Sequence, residues 1–336
     1  MIFRSKLPNQ EIPVVDVATF IFEEGKKNVS LSPLYEYSLF DQETGESLTI
    51  DGLEEKCTRL ASGLQNQLGM KTDQVSLVFS TNSLAYTVLI FSTIMTGGIL
   101  TLANPTMNKS ELSFQIKDSK TQYIYTKLEL LTTVKAAIQL SKADIPDCNI
   151  ILIDSELSLN GCTSMKQLYS SLPFNRFLIR DLEAAKKKTA FLPYSSGTTG
   201  IFFSPPPPFF FSCKTCRFIF VFLFIFSNLI IFVIKKKNLG FPKGVVLSHY
   251  NIVANTIQIS YPSRLNGWFT SKNPVKYLAV LPYYHIYGLV IITCVGLSNV
   301  SKHYPFTLSD PPHPQFFIIL TPPSLHIYTY IYAPSF

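Results

Sequence analysis

Short apolar runs alternate with helix-period segments between residues 51 and 153, and this alternation restricts the fold more than any other feature of the chain. Asp51-Gly-Leu-Glu54 has the spacing of a capping box, with Asp51 accepting and Glu54 reaching back. Leu53, Cys57, Leu60, Ala61, Leu64 and Leu68 then recur at helical spacing until Gly69 ends the helix. Val75–Phe79 reads as a buried strand. Asn82 or Ser83 caps a long apolar helix that stops at Gly97-Gly98, and Ile99–Leu102 is again strand-like. Asn108–Ser119 is amphipathic, Tyr123–Tyr125 a strand, Leu128–Leu140 a helix and Asn149–Ile153 a strand. Repeated alternation of strand and helix predicts an α/β domain with a largely parallel sheet.

The pattern breaks twice. Residues 201–240 contain no acidic residue, and Lys214, Arg217 and Lys235–Lys237 supply five of the chain's net charge of +7. The rest of the chain is close to neutral, so its basic balance does not point to a nucleic-acid partner. Phe218–Ile234 runs for 17 residues without a charge, and 15 of them are Phe, Ile, Leu or Val. Such a run supplies roughly −5 to −9 kcal/mol of insertion energy, at the short limit for spanning a bilayer. Two readings stay open: a single-pass anchor for a non-enzymatic membrane protein, or a chance tract from translated T-rich non-coding DNA. Residues 299–336 have seven prolines, no glycine and no useful period, and read as non-native, low-order sequence. Of six cysteines only Cys213 and Cys216 have CxxC spacing, and no second pair completes a zinc ribbon. Met1–Pro8 lacks the apolar core of a secretory signal, so reduced thiols and an intracellular compartment are expected.

Tyr194-Ser-Ser-Gly-Thr-Thr-Gly200 follows the strand-like Ala190–Pro193. Its glycines let backbone N–H groups approach an anion, and Ser195, Ser196, Thr198 and Thr199 add donors. It is not a Walker A loop, since no GK[ST] closes it. Taken alone it is equally a surface turn. Beyond the break stands Phe241-Pro-Lys-Gly-Val-Val-Leu-Ser-His249, and removing 201–240 would join it directly to Gly200. The flanks 190–194 and 244–248 are both strand-like and are expected to keep their places in one sheet despite the intervening residues.

The joined string resembles the phosphate-loop signature of the AMP-forming acyl-CoA synthetases, the adenylate-forming superfamily, and most closely 4-coumarate–CoA-ligase-like members. Leu281-Pro-Tyr-Tyr-His-Ile-Tyr-Gly-Leu289 is similar to that family's His-containing acyl-pocket motif. The resemblance runs from about residue 1 to 298 without 201–240. It implies the N-terminal part of the adenylate-forming ligase fold in 1–200 and 241–298, a foreign insert at 201–240, a non-native tail at 299–336, and no C-terminal domain. It also implies the chemistry: a small-molecule carboxylic acid reacts with Mg-ATP to give an acyl-adenylate and pyrophosphate, and CoA then displaces AMP. On this resemblance Ser195, Ser196, Gly197, Thr198, Thr199, Gly200 and Lys243 would hold ATP phosphates. His285 would serve the carboxylate and adenylate, and Tyr284 and Gly288 would shape the acyl pocket. No metal-ligating side chain is assigned; Mg2+ enters with ATP. His249 matches a family position and is given a helix-start role. The alternative for His285 is a satisfied core histidine, and for Lys243, if its loop is displaced, a solvated lysine after a proline. The family's later motifs have no counterpart, so an inactive fragment is expected. The family implies a cytoplasmic or peroxisomal location, with membrane association only through 218–234.

Overall fold

The computed structural model describes residues 7–30, 39–41, 45–195, 242–265, 276–279, 281–299, 302–305, 316–318 and 328–330. The chain divides into two compact units, Met1–Tyr194 with Gly244–Phe336, and Ser195–Lys243. The hydrophobic tract 218–234, the insert 201–240 and most of the tail lie outside the described residues. Among the described residues no helix is long and apolar enough to cross a membrane.

The larger unit opens with α1 (Val17–Ser30), β1 (Leu39–Phe40) and β2 (Ser47–Leu48). Then come α2 (Ile50–Asn66), β3 (Val75–Phe79), α3 (Leu84–Met95), β4 (Ile99–Ala103), α4 (Lys109–Ser119) and β5 (Tyr123–Thr126). A single 3-10 turn leads into α5 (Leu131–Ser141), followed by β6 (Ile150–Leu152), β7 (Thr163–Ser164), α6 (Met165–Leu168), α7 (Leu182–Lys187) and β8 (Thr189–Phe191). After the smaller unit the chain continues as β9 (Leu247–Ser248), α8 (His249–Leu265) and β10 (Lys276–Ala279). A π-helix spans Gly288–Val295, and β11 (Lys302–Pro305) lies inside the stretch that carries no sequence period.

Seven strands form one sheet in the order β7-β6-β5-β3-β4-β8-β9. Every neighbouring pair is parallel except β8 with β9. The expected α/β architecture is therefore present, as a mixed, largely parallel sheet with helices against it. A second sheet, β10-β11-β1-β2, is parallel at β10-β11 and β11-β1 and antiparallel at β1-β2. All five residues of β3 are buried, which is why this strand reads as an unbroken apolar run rather than an alternating one. Ile124 of β5 joins a core with Leu112 and Ile116 of α4 and Val134 and Ala137 of α5. Tyr125, one residue on, points to the opposite face, its hydroxyl 3.1 Å from Thr93 Oγ1 of α3.

Helix starts test the sequence reading residue by residue. The capping box expected at Asp51 and Glu54 is not the start of α2. Thr49 is the N-cap, its Oγ1 accepting from Gly52 N at 3.0 Å. Burial of Ile50 draws the first turn back by two residues, and Glu54 turns instead to Lys26 and Arg176. Ser83 caps α3 by accepting from Tyr86 N at 3.1 Å. A full capping box does occur at α4: Asn108 Oδ1 accepts from Glu111 N, and Glu111 Oε2 accepts from Asn108 N.

From the end of α6 the chain runs along α2 as a strap, residues 168–175. Ser62 Oγ donates to Leu172 O, Asn66 Nδ2 to Pro173 O, and Gln65 and Asn175 exchange two hydrogen bonds. Gly63 admits this strap, because a Cβ there would lie 1.6 Å from Leu168 O.

His249 begins α8 as expected and does more than begin it. The ring is buried, packs on Phe177 at 5.6 Å between centroids, and its Nδ1 accepts from Val17 N at 3.2 Å. Burial pushes its pKa down from 6.5 to about 4; Asp73 opposes the shift and Lys188 adds to it. The native ring therefore stays neutral where the unfolded ring is already taking up a proton. The stability tied to this neutral ring is complete above pH 6.5 and is lost progressively toward pH 4, by up to about 3 kcal/mol. Urea unfolding at stepped pH should show this loss in the wild type and not in His249→Gln. Equal slopes in the two proteins would contradict it.

Candidate functional site

The two halves of the interrupted motif meet at one end of the seven-stranded sheet. Thr189 pairs with Ser248 and Phe191 with Leu247, antiparallel. The pairing continues past the strand ends, where Val245 N donates to Pro193 O at 2.8 Å and Tyr194 bridges Gly244. Within the smaller unit, Ser195 N donates to Lys243 O at 3.1 Å, so the ends of that unit are held together. The flanks 190–194 and 244–248 thus share a sheet, as expected. Gly244 permits the approach: a Cβ there would sit 3.1 Å from Tyr194 Cζ and 3.2 Å from Leu192 Cδ1.

Two further ties fix the strand that leads to Ser195. Thr101 Oγ1 of β4 donates to Leu192 O at 2.7 Å, and is itself held by Gln115 Nε2 of α4 at 2.9 Å. Tyr194 OH donates to Asp118 Oδ2, also of α4, at 2.6 Å. Burial, and then the hydrogen bond and charge of Asp118, push the Tyr194 phenol well above its usual pKa, so it stays a donor. Ser195 is exposed and Lys243 half-buried. Ser196, Gly197, Thr198, Thr199 and Gly200 lie outside the described residues.

The second motif forms a tight turn on the larger unit. His285 N donates to Pro282 O at 3.1 Å, and Leu289 N donates to His285 O at 3.0 Å. His285 is exposed, and its Nδ1 accepts from Tyr287 N at 3.3 Å. Its other ring nitrogen is Nε2. Tyr283 is fully buried edge-on against Tyr86 of α3, with centroids 5.6 Å apart. Tyr284 is half-buried, which raises its phenol pKa. Gly288 opens the π-helix, where Thr293 Oγ1 donates back to its carbonyl at 3.0 Å. A Cβ on Gly288 would lie 2.1 Å from Pro282 O, so the bare Cα is used by the turn's own backbone.

Among the described residues no group of three His, Cys, Asp or Glu side chains is placed to hold a metal ion. Two shallow cavities, of about 480 and 490 Å³, lie beside α2 and are lined by none of the predicted site residues. Neither is where the motif chemistry resides. Sequence reasoning missed Asp118, Thr101 and Gln115. Each is polar and buried or paired against a strand end, and no local pattern flags a partner 76 or 91 positions away.

The AMP-binding enzyme family matches residues 29–201 and 240–319. The peroxisomal OPC-8:0-CoA ligase 1 of Arabidopsis thaliana is 25% identical over 288 residues, covering 85% of this chain and 41% of that protein. The 4-coumarate–CoA ligase 1 of Petroselinum crispum is 26% identical over 298 residues, covering 88% and 44%. The chain spans less than half the length of these relatives. Among solved structures, the luciferase-like enzyme from the mealworm Zophobas morio aligns with TM-score 0.63 at 17% identity, over 90% of this chain and 57% of that one. A long-chain-fatty-acid-CoA ligase from Archaeoglobus fulgidus aligns with TM-score 0.63 at 16% identity, over 90% and 49%. Identities that low speak for the fold alone. The family match takes in most of the chain on both sides of 202–239, and the chain belongs to the AMP-binding enzyme family.

Proposed function

We propose that this chain binds ATP and a carboxylic acid for the adenylating half of an acid–CoA ligase reaction. Ser195 and the residues through Gly200, with Lys243, hold the β- and γ-phosphates. His285 receives the acid, with Tyr284 beside it and Gly288 keeping the turn closed. In that step a carboxylate oxygen attacks the α-phosphorus, the bond to pyrophosphate breaks, and an acyl-adenylate forms. CoA thiol would then displace AMP in the relatives' complete reaction. Residues of this chain contribute position and charge rather than a covalent intermediate. The observation that supports the reading is the antiparallel closure of 192–195 on 243–247. It keeps Ser195 and Lys243, 48 positions apart in sequence, one hydrogen bond from each other.

The sequence carries no counterpart of the family's later motifs, so the proposal for these 336 residues ends at ligand binding and does not extend to thioester formation. Titration calorimetry with Mg-ATP tests it. The wild type should bind saturably, and Lys243→Ala should weaken binding by about tenfold, the worth of one charge-assisted contact. His285→Ala should leave ATP affinity within about twofold. Absence of saturable ATP binding by the wild type would overturn the proposal.

A further inference from the structure

We infer that Asn82 is a positioning residue for the His285 turn; its place in the reaction rests on the function proposed above. Asn82 follows β3, a central strand of the parallel sheet, at the strand's carboxyl end. That is where open α/β sheets gather their ligand-binding groups. The helix that follows does not need it, because Ser83 already supplies the cap of α3.

The Asn82 side chain is 6% exposed and spends its amide on a segment about two hundred positions away. Nδ2 donates to Ala279 O and to Leu281 O, both at 2.9 Å, and Oδ1 accepts from Tyr283 N at 2.8 Å. These three groups belong to residues 279, 281 and 283, so one amide ties the end of β10 to the start of the His285 turn. The amide orientation is fixed by its partners. A flipped Asn82 would set its oxygen against two carbonyls and its NH2 group against an N–H.

The clamp ends two residues before His285. Pro282, enclosed between Leu281 and Tyr283, offers the carbonyl that takes His285 N. The same carbonyl abuts Gly288, and the Tyr283 ring is seated on Tyr86. His285 is itself exposed, and its Nδ1 is held by Tyr287 N of the same turn. Its position is therefore set by the backbone beneath it, and Asn82 sets that backbone.

Amide hydrogen exchange on the full 336-residue chain tests the clamp. Calorimetry with two probes, Mg-ATP and 4-coumaroyl-sulfamoyl-adenosine as a stable acyl-adenylate mimic, tests its role. In the wild type the Tyr283 amide should be strongly protected. In Asn82→Ala the Tyr283 and His285 amides should exchange at least about tenfold faster, with those of β3 and β5 unchanged. The mimic should bind about tenfold more weakly while Mg-ATP affinity stays within about twofold. Asn82→Asp replaces the NH2 donor by an oxygen facing the Ala279 and Leu281 carbonyls, the arrangement a flipped amide would give, so it should likewise speed Tyr283 exchange and weaken the mimic. It carries the test should the alanine variant not fold. Unaltered Tyr283 exchange, or equal losses for both probes, would overturn the positioning role. A wild type that binds neither probe would instead sink the functional reading, and the exchange data would still decide the clamp.

Discussion

Deletion of residues 201–240 is expected to tighten Mg-ATP binding by up to about a hundredfold. The strands on either side already pair, from Thr189 with Ser248 outward to Tyr194 with Gly244. In the natural sequence Gly200 and Phe241 are separated by forty residues; the deletion makes them neighbours. By loop-closure entropy, holding together the ends of a forty-residue connection costs roughly (3/2)RT ln 40, about 3 kcal/mol. Where that cost falls on ordering the phosphate-binding turn, its removal returns as affinity, and 1.4 kcal/mol is a factor of ten. The family match is itself interrupted here, ending at 201 and resuming at 240. Calorimetry on the two proteins side by side measures the ratio. Equal or weaker affinity after deletion would show that the intervening residues do not burden the turn.

Substitution of Gly63 by alanine should lower stability by about 2–4 kcal/mol, a fall in melting temperature of roughly 3–6 °C for a chain this long. Two effects compete, and their signs differ. Helix propensity alone favours alanine over glycine inside α2 by about 1 kcal/mol. Against this, the new Cβ would meet Leu168 O at 1.6 Å and its carbonyl carbon at 2.6 Å, distances no relaxation of a side chain can relieve. The strap must lift, and the hydrogen bonds from Ser62, Gln65 and Asn66 to Leu172, Asn175 and Pro173 go with it. A thermal melt that rises with Gly63→Ala would mean that propensity wins and that the strap contributes nothing.

The strands of the large sheet were legible because they are buried on both faces, so each reads as a compact apolar word between helical periods. Gly69 was legible for a related reason, and Ser83 as one of two candidate caps with Asn82: caps and turns are local chemistry. The N-terminus of α2 was misread because Asp51 and Glu54 have the right spacing, yet Ile50 is buried and fixes the start earlier. The strap across α2 has no period, and nothing in residues 168–177 announces which helix they will cross. β11 is four residues of Lys-His-Tyr-Pro with no alternation, recruited by its neighbours β10 and β1 rather than by its own pattern. At the candidate site, His285, Tyr284 and Gly288 were legible only as a family motif. The sequence could place Asn82 near a helix start but could not see that its partners lie at 279–283.

The arrangement of α1 sets a timetable for the growing chain. One side of this helix meets α3, where Phe22 and Phe91 stack edge to face. Another side meets α2, where Lys26 pairs with Asp51 and Glu54; three further attachments come from far downstream: Val17 N to His249, Glu24 to Arg264, and Asn28 to Ser298 O, 270 positions later. At about 5–20 residues per second, a ribosome needs roughly 15–50 s to deliver that last partner. During that interval α1 can dock on α2 and α3 but not on these later partners, while the buried residues of α8 and the π-helix are still emerging. The first helix to be made is thus among the last to be secured, and the chain is most open to chaperones and proteases in that window.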